Sequence, residues 1–277
     1  MHTYEFNGEK LEDIARRIRI DVIKAVYNAG SGHPGGSLSA ADILTALYFK
    51  EMNIDPADPR MEGRDKLVLS KGHAAPGLYA ALGERGYFPV EEMFSLRGLG
   101  SNFQGHPNMH KVPGVEMSTG SLGQGISAAV GMALAGKLDK SDARVFALLG
   151  DGELQEGLVW EAAMAAAHYR LNNLCIFVDW NGLQIDGNNN DVMTVAPIDE
   201  KFRAFGWNVK VIDGHCFDDI FAALADAKKC HDKPTAIIAK THKGQGVSFM
   251  ADNPGWHGKA PSEEQARQAV EELGGEW

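Results

Sequence analysis

Apolar residues recur at Leu11, Ile14, Ala15, Ile18, Val22 and Val26, a three-to-four spacing that predicts a helix stopping at Gly30. The stretch SGHPGGS (31–37) follows, and Pro34 with its three glycines predicts a break in helical structure there. A second helix is expected from Ser39, whose hydroxyl, with Asp42 three residues on, resembles a capping box. It would turn Ala40, Ile43, Leu44, Leu47 and Tyr48 to the core. KLVL (66–69) reads as a buried strand feeding the loop SKGH, and a further helix is expected from Pro76 to about Gly83. Periodicity then disappears over 98–125, a stretch rich in Gly, Pro, Asn and His. A loop of that length inside a compact domain is usually functional.

Beyond it the alternation is regular. Helices are predicted over 126–138, 158–169, 198–205 and 218–229, and strands over 144–149, 174–178, 207–212 and 235–239. The acidic end, SEEQARQAVEELGGEW, reads as a peripheral helix. Short apolar strands separated by helices predict right-handed βαβ units, hence an α/β fold with a parallel sheet covered by helices on both faces. No repeat or linker divides the chain, so a single domain over 1–277 is expected. Ligands of such sheets bind beyond the carboxyl ends of the strands, which here read SKGH, GDG, DWNG, DGH and KTHKGQG.

Composition narrows the partners. With 27 Lys and Arg against 37 Asp and Glu, the formal charge is −10, which argues against nucleic acid or an acidic membrane as ligand. Three cysteines, Cys175, Cys216 and Cys230, are too few and too dispersed for a disulfide framework or a thiolate metal site. The segment MHTYEFNGEKLEDIARR lacks the apolar core of a signal peptide, and no apolar run reaches the roughly 18 residues of a membrane span. A soluble cytoplasmic protein is the expectation. Glycine is in excess, with 32 of 277 residues where the usual ~7% would give about 19.

The chemistry gathers at the predicted strand ends. Asp151 stands between Gly150 and Gly152, and Asn181 follows 30 residues later at the end of the next strand. A carboxylate and an amide oxygen there are hard ligands where backbone can approach a phosphate, and Mg²⁺ completes such a shell with phosphate oxygens and water. GDG alone also fits a plain turn. STGSLGQG (118–125) precedes a helix, so its amides can hold a diphosphate. Five of the ten histidines, His33, His73, His106, His215 and His257, lie in glycine- or proline-rich loops. Their imidazoles suit proton movement at alcohols and carbonyls. Zinc at His106 and His110 fits less well, because Pro107 disfavours a helix there and no third ligand is evident. A nicotinamide-dependent dehydrogenase, with 120–125 as phosphate loop and Asp151 on the ribose, is disfavoured by the glycine order G-x-x-G-x-G.

SGHPGG, LSKGHAAPGLYA, GHPN, STGSLGQG, GDGELQEG, the IDG after Asn181 and a late WHG occur in this order. Together they resemble the thiamine-diphosphate-binding half of transketolase, over about residues 10–260. The resemblance implies the thiamine-diphosphate-binding fold. It also implies Mg²⁺, or Ca²⁺ or Mn²⁺ in its place, on Asp151, Asn181 and the Leu183 carbonyl. His73, Gly120, Leu122, Gly152, Glu156, Asn181, Ile185 and His257 would contact the cofactor or its surroundings. His33, His106 and His257 would be the catalytic histidines of the substrate channel. Glu156 is similar to the family's buried glutamate that couples two cofactor sites. Trp180 before Asn181 departs from the family's polar pair, and SGHPGG followed by SLSAAD resembles split members. Full-length members carry a second, pyrimidine-binding domain that this chain lacks. The resemblance therefore implies a heterotetramer with a separate C-terminal transketolase subunit, and transfer of a two-carbon ketol unit between sugar phosphates. The alternatives that keep the cofactor are a deoxyxylulose-phosphate-synthase-like enzyme and a 2-oxo acid dehydrogenase alpha subunit.

Overall fold

The computed structural model describes residues 2–277. A short antiparallel ribbon, β1 (Glu5–Phe6) with β2 (Glu9–Lys10), leads into α1 (Leu11–Ala29). That helix ends where predicted, with Gly30 left-handed at φ 60°. The central sheet has the order β3 (Lys66–Leu69), β4 (Val145–Gly150), β5 (Leu174–Trp180), β9 (Thr235–Lys240) and β8 (Asn208–Asp213). Every neighbouring pair is parallel, so all five carboxyl ends point one way. A second ribbon, β6 (Leu183–Gln184) with β7 (Gly187–Asn188), hangs beyond β5.

The two-residue period of the strands divides the interior into two cores. Leu67, Leu69, Phe146, Leu148, Cys175, Phe177 and Ile237 pack under α1, α4 (Ala75–Arg85), α9 (Phe217–Lys229) and α10 (Glu263–Glu272). Val68, Ala147, Leu149, Ile176, Val178 and Ile238 face α5 (Gln124–Leu138), α6 (Gly157–His168) and, past the short turn α7 (Asn189–Val192), α8 (Ile198–Ala204). Burial on both faces is why these strands read as unbroken apolar runs. From Gln124 to Gly136, α5 carries no charged residue, yet Gly131 and Ala135 are exposed. Leu138 on α5 and Met164 on α6, the helix packed against it, are exposed too. No helix among the described residues is long and apolar enough to cross a membrane.

Two local expectations fail for identifiable reasons. The stretch after Gly30 is helical again as α2 (Pro34–Ser39), because Pro34 stands in the first turn, where no amide hydrogen is needed. The next helix, α3 (Ala41–Ala46), has no side-chain cap. Ser39 instead donates to Asp179 Oδ2 at 2.6 Å, and Asp42 accepts from Arg19 and His215. A π-helical turn, Leu47–Glu51, follows. The C-terminal helix fulfils its sequence signature, with Ser262 and Gln265 forming a capping box.

One buried carboxyl gives a stability prediction. Asp21, on α1, is 9% exposed, has an oxygen without a partner, and faces Glu84 of α4. Burial and then Glu84 raise its pKa from 3.8 to about 8, against the pull of Lys24 and Arg17. A carboxyl whose pKa rises on folding binds more protons in the native state, so stability is lost as pH climbs through that range. Asp21→Asn removes the charge and is expected to stabilise the chain above pH 8 by ~1 kcal/mol. Thermal melts at pH 5 and 9 check this; a variant no more stable at pH 9 than at pH 5, relative to wild type, would refute it.

Candidate active site

The carboxyl ends of β3, β4, β5 and β9 converge on a cavity of about 300 Å³. Its floor is an ion pair. Lys71, just past β3, and Asp179, near the end of β5, are 1% and 0% exposed and form a direct salt bridge. Lys71 also donates to the Gly36 carbonyl at 2.8 Å, while Ser39 and Thr241 donate to Asp179. Burial alone would push the Asp179 pKa up, but Lys71 and these hydroxyls hold it below the usual carboxylate value. This network ties α2 and the loop after β9 to the sheet.

Above that floor stand the residues expected at a cation. Asp151, 2% exposed, accepts from the amides of Gly152 at 2.8 Å and Gly182 at 2.6 Å. Burial and the neighbouring Asp179 raise its pKa to about 6, the signature of a carboxylate short of positive charge. Asn181 accepts from the Leu183 amide at 3.1 Å and donates to Asp179 at 3.2 Å. Asp151, Asn181 and Leu183 all line the same cavity. Among the described residues no three His, Cys, Asp or Glu side chains cluster as metal ligands. One carboxylate, one amide oxygen and one carbonyl are instead a hard, incomplete set that suits a divalent cation sharing phosphate oxygens.

Three of the loop histidines meet here. The rings of His33 and His73 are 5.2 Å apart, His33 and His257 5.5 Å, and His73 and His257 5.1 Å. Burial, with nearby cations, lowers His33 to about 4 and His257 to about 3, and holds His73 well below its ordinary value. All three are neutral imidazoles at neutral pH. His106 is placed differently: it is exposed on the rim, with its ring against Gly120, and does not line the cavity. His215 is remote, with Nδ1 2.7 Å from Asp42 and Nε2 accepting from the His242 amide at 2.9 Å, so it ties loops together.

Gly120, Leu122, Gly152, Glu156 and Ile185 complete the wall. The expectation of a buried Glu156 is not met within this chain, where it is exposed at the start of α6. Glu153 is the buried glutamate, 2% exposed, accepting from Ser70 at 2.5 Å, Gly123 at 2.8 Å and Gly150 at 3.0 Å. The glycines of LSKGH and LGQG permit close approach. A Cβ on Gly72 would fall 2.6 Å from the Gly120 nitrogen, and one on Gly125 would fall 2.5 Å from the Ser70 Cα. Trp180 packs with the second core under the Lys240 ammonium at 5.6 Å and is not among the residues that line the cavity.

Sequence reasoning missed the lysines. Lys243 donates to His257 Nδ1 at 2.8 Å and to the Leu183 carbonyl at 3.2 Å. Burial and Lys71 lower its pKa to about 8. Both lysines lie in segments already named as strand ends, SKGH and KTHKGQG, and a cation beside a glycine loop there was the available signal.

Two buried lysines, a glycine-lined wall and neutral imidazoles at the carboxyl edge of a parallel sheet define an α/β domain built to grip a polyanionic cofactor. Residues 11–276 match the family model described as "Transketolase, thiamine diphosphate binding domain". The chain is 46% identical to 6-deoxy-6-sulfo-D-fructose transketolase subunit SqwG of Clostridium sp. (strain MSTE9), covering 95% of this chain and 96% of the relative. It is 42% identical to an apulose-4-phosphate transketolase subunit of Actinobacillus succinogenes, covering 99% of each. Human transketolase is 44% identical over 96% of this chain, which spans only 42% of that protein. A transketolase from Pichia stipitis superposes with a TM-score of 0.90 at 36% identity, over 97% of this chain and 41% of that one. The chain therefore belongs to the transketolase family, as its thiamine diphosphate-binding part. These matches favour a transketolase subunit over the 2-oxo acid dehydrogenase, deoxyxylulose-phosphate-synthase-like and nicotinamide-dependent alternatives.

Proposed function

We propose that residues 1–277 form one domain serving as the N-terminal subunit of a split cytoplasmic transketolase, paired with a separate C-terminal subunit in a heterotetramer. Thiamine diphosphate and Mg²⁺, with Ca²⁺ or Mn²⁺ as substitutes, would serve a two-carbon ketol transfer from a ketose phosphate to an aldose phosphate. The observation that carries this is the meeting of Asp151, Asn181 and the Leu183 carbonyl with His33, His73 and His257 in one cavity. Related subunits of this length are named for a sulfonated fructose and for apulose 4-phosphate.

Asp151, Asn181 and Leu183 would hold the cation. Lys243, His73 and the backbone at Gly120, Leu122 and Gly152 would hold the diphosphate, with Ile185 against the rest of the cofactor. The cofactor, when bound, supplies the carbon nucleophile that accepts and releases the two-carbon unit. His33 and His257, kept neutral, would hydrogen-bond sugar oxygens over that centre, and His106 on the rim would meet the incoming sugar. Exposed Glu156 would become buried against a second subunit, where it could link the two sites. The uncharged face of α5 with Met164 of α6 would be covered by the C-terminal subunit, the counterpart of the length that full-size relatives possess beyond this chain.

The test is a ketol-transfer assay with thiamine diphosphate and Mg²⁺, run on this chain, on the polypeptide encoded beside it, and on the mixture. Activity is expected only in the mixture. An inactive mixture that still binds the cofactor would overturn the transferase assignment.

A further inference from the structure

Arg97 is an unusual residue to find beside a catalytic histidine. Its backbone is left-handed, φ 60°, a conformation a non-glycine residue adopts rarely and at some cost. The side chain is held by Ser31 Oγ at 3.1 Å, and Nη2 lies 3.4 Å from His33 Nδ1. Nε is buried without a partner, because the guanidinium lies on Gly105, where a Cβ would fall 2.8 Å from three of its atoms. A strained backbone and an orphaned donor are tolerated here to bring this group to one edge of His33.

A guanidinium has donors only and does not lose its proton. A ring nitrogen facing it must therefore be the bare acceptor, and the single proton of a neutral imidazole must sit on the other nitrogen. We propose that Arg97 is a positioning residue that fixes His33 as the Nε2–H tautomer, so that His33 acts in the cavity as a hydrogen-bond donor and not as a base. The other titratable groups around His33 are His73, His106, His257 and Lys243, and among the described residues only Arg97 hydrogen-bonds its Nδ1. Among the described residues Nε2 has no hydrogen-bond partner; it lies 3.4 Å from where a Cβ on Gly258 would stand, on a residue that lines the cavity.

The experiment is a multiple-bond ¹H–¹⁵N correlation on the histidine-labelled chain without cofactor, with His33 assigned from the His33→Gln spectrum. His33 is expected to show a protonated Nε2 and a bare Nδ1 from pH 6 to 8. Arg97→Met should collapse this to a mixture of tautomers, and Arg97→Lys should restore it. Gly105→Ala gives a second route: its backbone accepts alanine, and the added methyl only displaces the flexible guanidinium. It should loosen the tautomer as Arg97→Met does, and carries the comparison if that variant does not fold. A proton on Nδ1 in the wild-type chain, or an unchanged tautomer in the folded variants, overturns the proposal. In the assembled enzyme Arg97→Met should lower kcat/KM about tenfold, the worth of one ordinary hydrogen bond. That consequence rests on the transferase reading, whereas the nitrogen spectra do not, so the two fail separately.

Discussion

Asp151→Ala is expected to abolish thiamine diphosphate binding by the assembled enzyme in Mg²⁺, weakening it at least ~100-fold, about 3 kcal/mol. Both carboxylate oxygens are already oriented by backbone amides, those of Gly152 and Gly182, so the group needs no rearrangement to serve as a ligand. The other two oxygens of the set, from Asn181 and Leu183, carry no formal charge. Loss of Asp151 therefore removes the one charged member of this ligand set. Stability should respond far less. Without cofactor, Asp151 is a buried carboxylate beside Asp179 with its pKa raised to about 6. Asp151→Asn removes the buried charge but turns an NH2 toward one of the two backbone N–H donors, so the melting temperature of the cofactor-free chain should change little. Calorimetric titration with cofactor and a thermal melt without it separate the two effects. Undiminished affinity would remove Asp151 from the site.

Lys71→Met should be strongly destabilising, costing ~3–5 kcal/mol, because it strands a buried charge on Asp179. The hydroxyls of Ser39 and Thr241 remain, but neither supplies positive charge. The double variant Lys71→Met/Asp179→Asn should recover part of the loss, since no ion is then left in the floor. The pH dependence has a definite sign. Burial raises the Asp179 pKa, and Lys71 with its neighbours more than reverses this. A depressed carboxyl contributes stability at neutral pH that fades as pH falls through its folded value. Losing Lys71 lets Asp179 take up a proton at higher pH, so the damage should be greatest near pH 7 and shrink toward pH 4. Denaturant titrations at both pH values check this; equal losses would mean that Lys71 acts by packing alone.

The sheet and most helices were legible because burial on both faces writes strands such as LCIFV and TAIIA as continuous apolar runs. What sequence left obscure depended on tertiary partners. Pro34 and its glycines read as a break, yet α2 forms with Pro34 in its first turn, and Gly35 lets it pack where a Cβ would fall 2.9 Å from the Trp256 carbonyl oxygen. Ser39 looked like a helix cap but is drawn to Asp179, 140 residues away. Asp151, Asn181 and His73 could be placed together because ordered strand ends converge, whereas Leu183 and His257 were legible only through the resemblance to transketolase. Lys71 and Lys243 escaped notice because a lysine's charge is normally solvated, and only the fold shows these two buried. Glu153 and Glu156 occupy one motif, and nothing in GDGELQEG says which of them faces inward.

The uncharged run of α5 has a consequence for how assembly would look in a calorimeter and a stopped-flow cell. The run from Gln124 to Gly136 offers no charge pairs of its own, so salt should act on subunit encounter only through bordering charges and the chain's net charge of −10. Its burial should instead appear as a negative heat-capacity change, with association growing weaker as the solution is cooled.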